Sequence, residues 1–389
     1  MTSIKDFQII ELGEEGEKSS PWSSTIIVLR LETSNGEVGY GEAPTTLMTR
    51  PVYEQMREVG RFFVGRDVEE IAKNYREFYK RSFYLPVSME STSALSAFEI
   101  ASWDIVGKTY GAPIFQLIGG KVRDEVTAYA NGWYDDCVTP EDFVRKASDV
   151  EKLGFTAVKF DPFGSNYDSL SVDAAKKARE IANAIKENTN LTILIECHGR
   201  FNPNAAILAA EYMEDLAHLF KEEPVHPDQI DGLERLRERS RIRIALGERV
   251  LNKNLFLPYL RSDLVDVIQP DVTNVGGIIQ AKESSVLAEA FGVDVAFHNA
   301  FGPIQTAATL HLDYNINNFL IQESFESFWP DWKRRLLKSG YKLENGSFKL
   351  SGKPGLGIEV NERILDEYKT DSMEGVSEEP PWVVKGTFR

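Results

Sequence analysis

Three acidic residues in this chain have a spacing that would let them bind one ion. Glu196, Glu222 and Glu248 lie 26 residues apart, each at or near the end of a short apolar run. A strand and a helix together take about this length, so the spacing predicts three carboxylates at one height on three adjacent strands. Such a cluster suits Mg²⁺, with Mn²⁺ possible, because hard oxygen ligands bind these ions and leave room for substrate oxygens. Side chains alternate along a strand, so Glu223 should point away from Glu222.

A histidine and an aspartate at the ends of neighbouring runs form a candidate general base. His298 ends one run, and Asp271 ends the run before it. A carboxylate beside an imidazole fixes its tautomer and raises its basicity. Lys159, at the end of an earlier run, would add an ammonium group to the same region. With a divalent metal, this set suits removal of a proton next to a carboxylate, because cations stabilise the enediolate that forms.

A second histidine is a candidate acid. His198 follows Glu196 by two residues and Asp161 follows Lys159 by two, so each pair shares one face of a strand. We expect His198 to protonate a departing hydroxyl, and Asp161 to face the same site and contact the substrate. The remaining histidines fall on helices or loops and are interpreted as structural: His218, His226 and His311.

The candidate residues lie where short apolar runs alternate with segments that are each long enough for one helix. After about residue 125 there are eight such runs, at 127–132, 157–161, 193–197, 219–223, 244–248, 266–271, 295–299 and 320–324. This alternation predicts an α/β fold, and eight units favour a TIM-type barrel, whose active site lies at the carboxyl ends of its strands. A doubly wound sheet is the alternative, but no G-x-G-x-x-G follows the first strand, which disfavours dinucleotide binding.

The first part of the chain has a different pattern. Residues 24–33 are rich in β-branched residues, Asn35-Gly36 is a hairpin turn signal, and residues 37–42 return as a strand. Residues 51–110 change to a helical period. The segment after about residue 330 is expected to return to this first part of the chain.

Composition excludes several classes of protein. Of the 389 residues, 42% are hydrophobic and 27% are charged, which is typical of a globular protein. The net charge of −16 repels nucleic acid and anionic membranes, so neither is an expected partner. Cys137 and Cys197 make neither a disulfide framework nor a zinc site. No signal motif and no apolar run of the ~20 residues that span a bilayer occurs, so we expect a soluble cytoplasmic protein.

Several motifs together indicate a family, and the resemblance extends over nearly the whole chain. They are ASWDIVGKTYGAPIFQLIGG (101–120), FKEEP (220–224), GER (247–249), QPDVTNVGG (269–277) and KPGLGIEV (353–360). The sequence resembles the mandelate racemase group of the enolase superfamily. The resemblance implies a (β/α)₇β barrel, at 125–328, under an α+β capping domain that both termini form, at 1–124 and 329–389. It also implies metal ligands at Glu196, Glu222 and Glu248, a dyad of Asp271 and His298, and an acidic residue, Glu323, on the eighth strand.

Two positions differ from patterns common in this group. Its racemases often carry Lys-x-Lys on the second strand, whereas this chain has Lys159-x-Asp161 and lacks the second lysine, the base for the opposite face. The first metal ligand is often aspartate, whereas here it is Glu196.

The motifs ECHGRF (196–201) and HNAFGPI (298–304) resemble those of acid-sugar dehydratases. With KFDPFG (159–164), YANGWY (129–134) and WVVKG (382–386), the chain is most similar to gluconate dehydratases of the archaeal type.

The residues and the resemblance together predict a Mg²⁺-dependent dehydratase that converts an aldonate to a 2-keto-3-deoxy acid. Gluconate is the first choice of substrate and galactonate is the second. The alternatives are a sugar-acid epimerase of the same superfamily, a dehydratase of another aldonate such as arabinonate, and a non-catalytic sugar-acid binding protein. We expect Trp22, in a capping loop, to contact the substrate, and the resemblance implies a homo-oligomer, a dimer or an octamer.

Overall fold

A three-stranded sheet and three helices form the first part of the chain. The structure is a computed structural model, and it describes residues 2–14, 25–45, 49–83, 88–217 and 219–371. The sheet is antiparallel, in the order β1 (Ile4–Gly13), β2 (Thr25–Thr33) and β3 (Val38–Ala43), and its helices are α1 (Thr49–Phe63), α2 (Ile71–Arg81) and α3 (Met89–Thr109). Asn35 and Gly36 connect β2 to β3, which confirms the predicted hairpin.

Helix α3 lies so close to this sheet that β3 needs glycine at the contact. A Cβ atom at Gly41 would lie 2.0 Å from the carbonyl oxygen of Ala97, and one at Gly39 would lie 2.3 Å from that of Ala101. Since real Cβ atoms do not approach an oxygen this closely, glycine on the strand and alanine on the helix allow the two backbones to pack together.

Eight parallel strands form a closed barrel, which confirms the predicted fold class. Neighbouring strands pair in chain order from β4 to β10, β11 pairs with β4, and a bridge between Val295 and Phe319 completes the ring. After the short helix α4 (Ile114–Leu117), the strands are β4 (Val126–Ala130), β5 (Ala157–Phe160), β6 (Thr192–Glu196), β7 (Lys221–Glu222), β8 (Ile244–Leu246), β9 (Val267–Ile268), β10 (Asp294–Val295) and β11 (Gln322–Ser324). One helix follows each of the first seven strands: α5 (Pro140–Lys152), α6 (Val172–Asn188), α7 (Pro203–Met213), α8 (Ile230–Arg239), α9 (Lys253–Arg261), α10 (Ile278–Ala290) and α11 (Pro303–Asn315).

Strand alternation sets a polar layer directly above an apolar layer inside the barrel. The apolar layer has one buried residue from each strand or its end: Tyr129, Ala157, Leu194, Phe220, Ala245, Val267, Ala296 and Ile321. Two positions further along each strand, on the same face, lies the set that we call the polar layer: Asn131, Lys159, Glu196, Glu222, Gly247, Gln269, His298 and Glu323. Because the apolar layer closes the barrel below them, these polar groups face the carboxyl ends of the strands.

Two buried carboxylates of the first part of the chain hold it onto the barrel. Glu42, on β3, accepts hydrogen bonds from the backbone N–H groups of Ile304 and Gln305 in the first turn of α11. Glu99, on α3, accepts hydrogen bonds from those of Ile278 and Ile279 in the first turn of α10. A carboxylate at a helix N-terminus satisfies amides that have no partner within the helix, so these contacts fix the capping sheet beside the site.

The last part of the described chain contacts both the barrel and the first sheet. Its elements are a short 3₁₀ helix (Glu326–Phe328), α12 (Asp331–Arg334), β12 (Leu337–Ser339), β13 (Lys342–Glu344), β14 (Ser347–Lys349), β15 (Glu359–Val360) and α13 (Glu362–Glu367). Strand β14 pairs with β4 of the barrel, whereas the N–H of Thr370 bonds to the carbonyl of Glu11 on β1. The domain boundaries at residues 124 and 328 stay predictions. Within the described ranges, no helix is both long and apolar enough to cross a membrane.

Candidate active site

A cleft opens above the polar layer, at the carboxyl ends of the barrel strands. It is lined by Asn131, Gly132, Tyr134, Asp135, Lys159, Glu196, His198, Glu248, His298, Ala300 and Phe325. Five residues that the sequence singles out therefore meet at one cleft, although they lie on or just after four different strands: Lys159, Glu196, His198, Glu248 and His298. This is the end of the barrel where the sequence predicts the active site.

Lys159 stands at the centre of a cluster of carboxylates. Its Nζ lies 2.9 Å from Glu196 Oε2, 2.5 Å from Glu222 Oε2 and 2.8 Å from Glu323 Oε1, and its side chain is only 2% exposed. Burial lowers the pKa of Lys159, but the three carboxylates outweigh burial and raise that pKa well above its usual value. The side chain is therefore a fixed ammonium group at the floor of the cleft.

The prediction of equal heights holds for two of the three spaced acids and is wrong for Glu248. In the strand register, Glu196 pairs with Glu222, but Glu222 pairs with Ala245. Gly247 takes the position in the polar layer, and Glu248 follows it beyond the end of β8. Equal spacing along the chain does not give equal height, because the offset between paired residues changes from one pair of strands to the next. Glu248 nevertheless reaches the cleft.

The three spaced acids fit a divalent cation by donor type. All three provide carboxylate oxygens, and in the described chain Glu222 Oε1 is buried without a hydrogen-bond partner. Burial, and then repulsion by Glu196, raises the pKa of Glu222 well above its usual value. A bound cation would offset this repulsion and stabilise the ionised carboxylate. Lys159 lies between Glu196 and Glu222, and no three His, Cys, Asp or Glu side chains of the described residues are arranged as a preformed metal site.

The predicted dyad of Asp271 and His298 is formed. His298 Nδ1 lies 2.6 Å from Asp271 Oδ2, and the same oxygen accepts a hydrogen bond from Gln305 Nε2. The other carboxylate oxygen, Oδ1, accepts from the N–H and the hydroxyl of Thr273, so the aspartate is held in one orientation. Because an ionised carboxylate only accepts, the geometry assigns the proton of His298 to Nδ1 and leaves Nε2 toward the cleft.

Nearby carboxylates control the pKa of His298. His298 Nε2 lies 3.2 Å from Glu248 Oε2 and 3.9 Å from Glu323 Oε2. Burial lowers the pKa of His298, but Glu248, Asp271 and Glu323 together raise that pKa well above its usual value. Neutralising the charge of Glu248 would lower the pKa again, toward the range in which an imidazole acts as a base.

His198 forms a second pair with an aspartate, and this changes the interpretation of Asp161. His198 Nδ1 lies 2.8 Å from Asp161 Oδ2, and Arg200 donates to both Asp161 oxygens, at 2.7 and 2.8 Å. The N–H of Phe163 also donates to Asp161 Oδ1. The prediction that Asp161 contacts substrate is therefore not supported: its oxygens are engaged inside the protein, and it is absent from the described residues that line the cleft.

The acidic residue on the eighth strand is an ionised hydrogen-bond acceptor. Glu323 accepts from Asn131 Nδ2 through Oε1 and from the N–H of Asn299 through Oε2. Burial raises the pKa of Glu323, but the charges of Lys159 and His298 outweigh it and lower that pKa to about 2. Glu323 therefore holds the Lys159 ammonium in place.

Comparison with known proteins now places this architecture in a family. Residues 19–119 match the model of the mandelate racemase / muconate lactonizing enzyme N-terminal domain, and residues 142–364 match that of the enolase C-terminal domain-like family. The chain belongs to the enolase superfamily. The membership confirms the resemblance that the sequence motifs indicate.

Superfamily relatives of this chain include proteins named for sugar-acid chemistry. A protein from Picrophilus torridus named D-gluconate/D-galactonate dehydratase is 54% identical, over 100% of both chains. One from Thermoproteus tenax named D-gluconate dehydratase is 43% identical, over 100% of this chain and 79% of the relative. A mandelate racemase/muconate lactonizing enzyme from Sulfitobacter sp. has a solved structure with a TM-score of 0.88, at 28% identity over 98% of this chain and 99% of that one.

Several residues at this superfamily site are not among those that the sequence singles out as functional. Asn131 and Gln269 belong to the polar layer, and Tyr134, Asp135 and Phe325 line the cleft. Their signal is position alone, since each follows a barrel strand or ends one. The other predicted contact, Trp22, lies outside the described residues.

Proposed function

We propose that this enzyme is a dehydratase of six-carbon aldonates that acts on gluconate and galactonate. The observation that carries the proposal is the presence of two histidines at one cleft, each bonded to its own aspartate: His298 to Asp271 and His198 to Asp161. Loss of water from adjacent carbons needs one group to take a proton and another to give one. The names of the relatives that are 54% and 43% identical support the choice of substrate.

In the proposed reaction, His298 removes the proton from C2 and His198 gives a proton to the C3 hydroxyl, which leaves as water. The electron pair of the C2–H bond becomes part of a C2=C3 double bond, and the resulting enol tautomerises to the 2-keto-3-deoxy acid. Lys159 stabilises negative charge on the substrate carboxylate as it develops. A divalent ion, which we propose is Mg²⁺, would be held by Glu196, Glu222 and Glu248 and would supply further positive charge there.

A sugar-acid epimerase is the alternative, and it would need a base on each face of C2. Lys159 and Asp161 are the candidates opposite His298. The Nζ of Lys159 is held between three carboxylates, at 2.5 to 2.9 Å, and in the proposed reaction its ammonium is needed as the cation at the substrate carboxylate. Burial raises the pKa of Asp161, but Arg200 and His198 outweigh it and lower that pKa. Neither group is a competent base, which favours dehydration.

The one-base arrangement predicts that the enzyme accepts one configuration at C2. We expect 2-keto acid from gluconate and galactonate, which share that configuration, and none from mannonate, the C2 epimer of gluconate. The test is to incubate each acid with enzyme and Mg²⁺, follow 2-keto acid by a colour assay, and look for the epimer by NMR. Comparable rates on gluconate and mannonate, or epimer in the mixture, would show that a second base acts on C2.

Removal of divalent ions should abolish the activity. The oxygen donors of Glu196, Glu222 and Glu248 lead us to expect that a chelator stops 2-keto acid formation and that Mg²⁺ restores it. Mg²⁺ should also raise the Tm of the metal-free protein, and Glu222→Gln should reduce that rise, because binding to the folded state alone stabilises it. Full activity of a metal-free preparation would overturn the ligand assignment.

We further propose that the enzyme works in the cytoplasm as a homo-oligomer, a dimer or an octamer. The net charge of −16 disfavours nucleic acid and an anionic membrane as partners, and membership of the superfamily is what supports the homo-oligomer. Light scattering on the purified protein measures the oligomeric state directly.

A further inference from the structure

Two arginine–carboxylate pairs surround His198, although neither arginine is among the described residues that line the cleft. We propose that Arg200 is a positioning residue: acting through Asp161, it holds the imidazole of His198 in the orientation that delivers a proton to the leaving hydroxyl. The proposal rests on the role proposed above for His198. It gives the Asp161–Arg200 pair a function although neither residue lines the cleft.

The backbone of His198 is held by the first pair, Arg249 with Glu223. His198 has a φ of +50°, which is unusual for a residue with a side chain, and Gly199 follows with a φ of +57°. Arg249 Nη2 donates to the carbonyl of His198 at 3.2 Å, and the N–H of Gly199 donates to the carbonyl of Glu223 at 2.8 Å. A Cβ at Gly199 would lie 1.9 Å from Arg249 Nη2, so a side chain there would displace the guanidinium that holds the His198 carbonyl.

Because the turn is fixed, rotation of the side chain is the main freedom left to His198. The second pair restrains this rotation. Asp161 bonds to His198 Nδ1 at 2.8 Å, and the two-pronged contact of Arg200, at 2.7 and 2.8 Å, fixes the plane of the Asp161 carboxylate. The side chains of Asp161 and Arg200 are 2% and 0% exposed, so water does not compete for these bonds.

The arrangement also selects one tautomer of His198. An ionised carboxylate only accepts hydrogen bonds, so Asp161 places the proton of a neutral imidazole on Nδ1. Nε2 is then the nitrogen that transfers a proton at the cleft. An imidazole turned away from this orientation would misplace Nε2, and errors of about 1 Å in a reacting group can cost about 100-fold in rate.

The base on the other side of the cleft does not depend on this pair. His298 is held by Asp271, which accepts a further hydrogen bond from Gln305, and within the described chain no contact links His298 to Arg200 or Asp161. A change at Arg200 should therefore affect dehydration and spare the removal of the C2 proton. A general loss of folding would not produce this split.

The experiment compares Arg200→Lys and Asp161→Asn with the wild type in deuterium oxide containing Mg²⁺ and gluconate. Lysine keeps the charge but makes a single contact, and asparagine keeps the shape but loses the charge. We expect kcat for 2-keto acid formation to fall about 10- to 100-fold with little change in KM, while C2 deuterium exchange stays at the wild-type rate. Arg179→Lys is the matched control, because Arg179 makes the same two-pronged contact with Asp215 on the surface, at 2.6 and 2.7 Å.

Two further measurements decide the interpretation. In the His198→Asn background, Arg200→Lys should cause no further loss of dehydration, since coupled residues are not additive. The chain has five histidines, so ¹⁵N NMR of labelled protein can identify the His198 ring nitrogens by their absence in His198→Asn. At one fixed pH, Asp161→Asn should shift these signals away from the Nδ1–H tautomer.

Each result supports or overturns the positioning role. A parallel fall of exchange and dehydration, an unchanged kcat, or unchanged ring signals in Asp161→Asn would overturn it. A wild-type enzyme that forms no 2-keto acid from any aldonate would instead overturn the proposed function. The ring signals still test the positioning contact in that case, because they need no turnover.

Discussion

Replacing His298 with asparagine should abolish both deuterium exchange at C2 and formation of 2-keto acid. Asparagine can still donate a hydrogen bond to Asp271, so the end of β10 should keep its shape, but an amide does not take up a proton at neutral pH. General bases contribute about 10²- to 10⁴-fold to rates, so we expect a loss of at least this size. Both processes begin with the same C2 proton, and they should therefore fall together.

The measurement uses gluconate in deuterium oxide, with exchange followed by NMR and 2-keto acid by a colour assay. His226→Asn is a matched control, because His226 also bonds to an aspartate, Asp228, at 2.6 Å, but its side chain is 49% exposed and it is absent from the cleft lining. It should leave both rates unchanged. Near-wild-type turnover by His298→Asn would show that another group removes the proton.

Strand alternation explains why so much of the fold and the site could be predicted from the sequence. Each buried strand places an apolar residue and, two positions later, a polar one on the same face, as Ala157 with Lys159 and Leu194 with Glu196 show. Eight such runs determine a barrel, and a barrel brings the ends of its strands together. Lys159, Glu196 and His298 could therefore be assigned to one site without knowledge of any contact.

Positions beyond the strand ends depend on turns, and there the sequence is a weaker guide. Glu248 follows Gly247, whose φ of 155° belongs to the turn after β8, so its height is set by that turn and not by strand spacing. His198 lies past the end of β6 with a φ of +50°, so the alternation that predicted its direction no longer applies. It reaches the cleft because Arg249 and Glu223 hold the turn in place.

Partners that are distant in sequence could not be predicted at all. Asp161 and Arg200 are 39 residues apart, and Asp271 and Gln305 are 34 apart, so no local pattern joins them. A buried carboxylate gives no sign in the sequence of whether it binds substrate or another side chain. For Asp161, the decisive fact is that three protein donors already occupy its oxygens, and this is visible only in the fold.

Replacing His198 with asparagine should separate the two halves of the reaction. The general acid is needed only when the C3 hydroxyl leaves, because hydroxide is a poor leaving group without a proton. The base, Lys159 and the carboxylate cluster all remain in His198→Asn, so the C2 proton should still exchange with solvent. We expect formation of 2-keto acid to fall by about 10²- to 10⁴-fold while C2 exchange persists.

The same experiment in deuterium oxide tests this expectation. His298→Asn should lose both C2 exchange and dehydration, whereas His198→Asn should lose dehydration alone. Wild-type enzyme divides the C2 carbanion between loss of water and return to substrate, whereas in the variant only return to substrate remains, so the recovered gluconate should carry deuterium at C2. The recovered, deuterated gluconate should keep its configuration at C2, because Lys159 and Asp161 are not competent bases on the opposite face. Unlabelled gluconate recovered from His198→Asn would show that His198 is needed for proton removal itself, and the two histidines would then not divide the reaction as proposed.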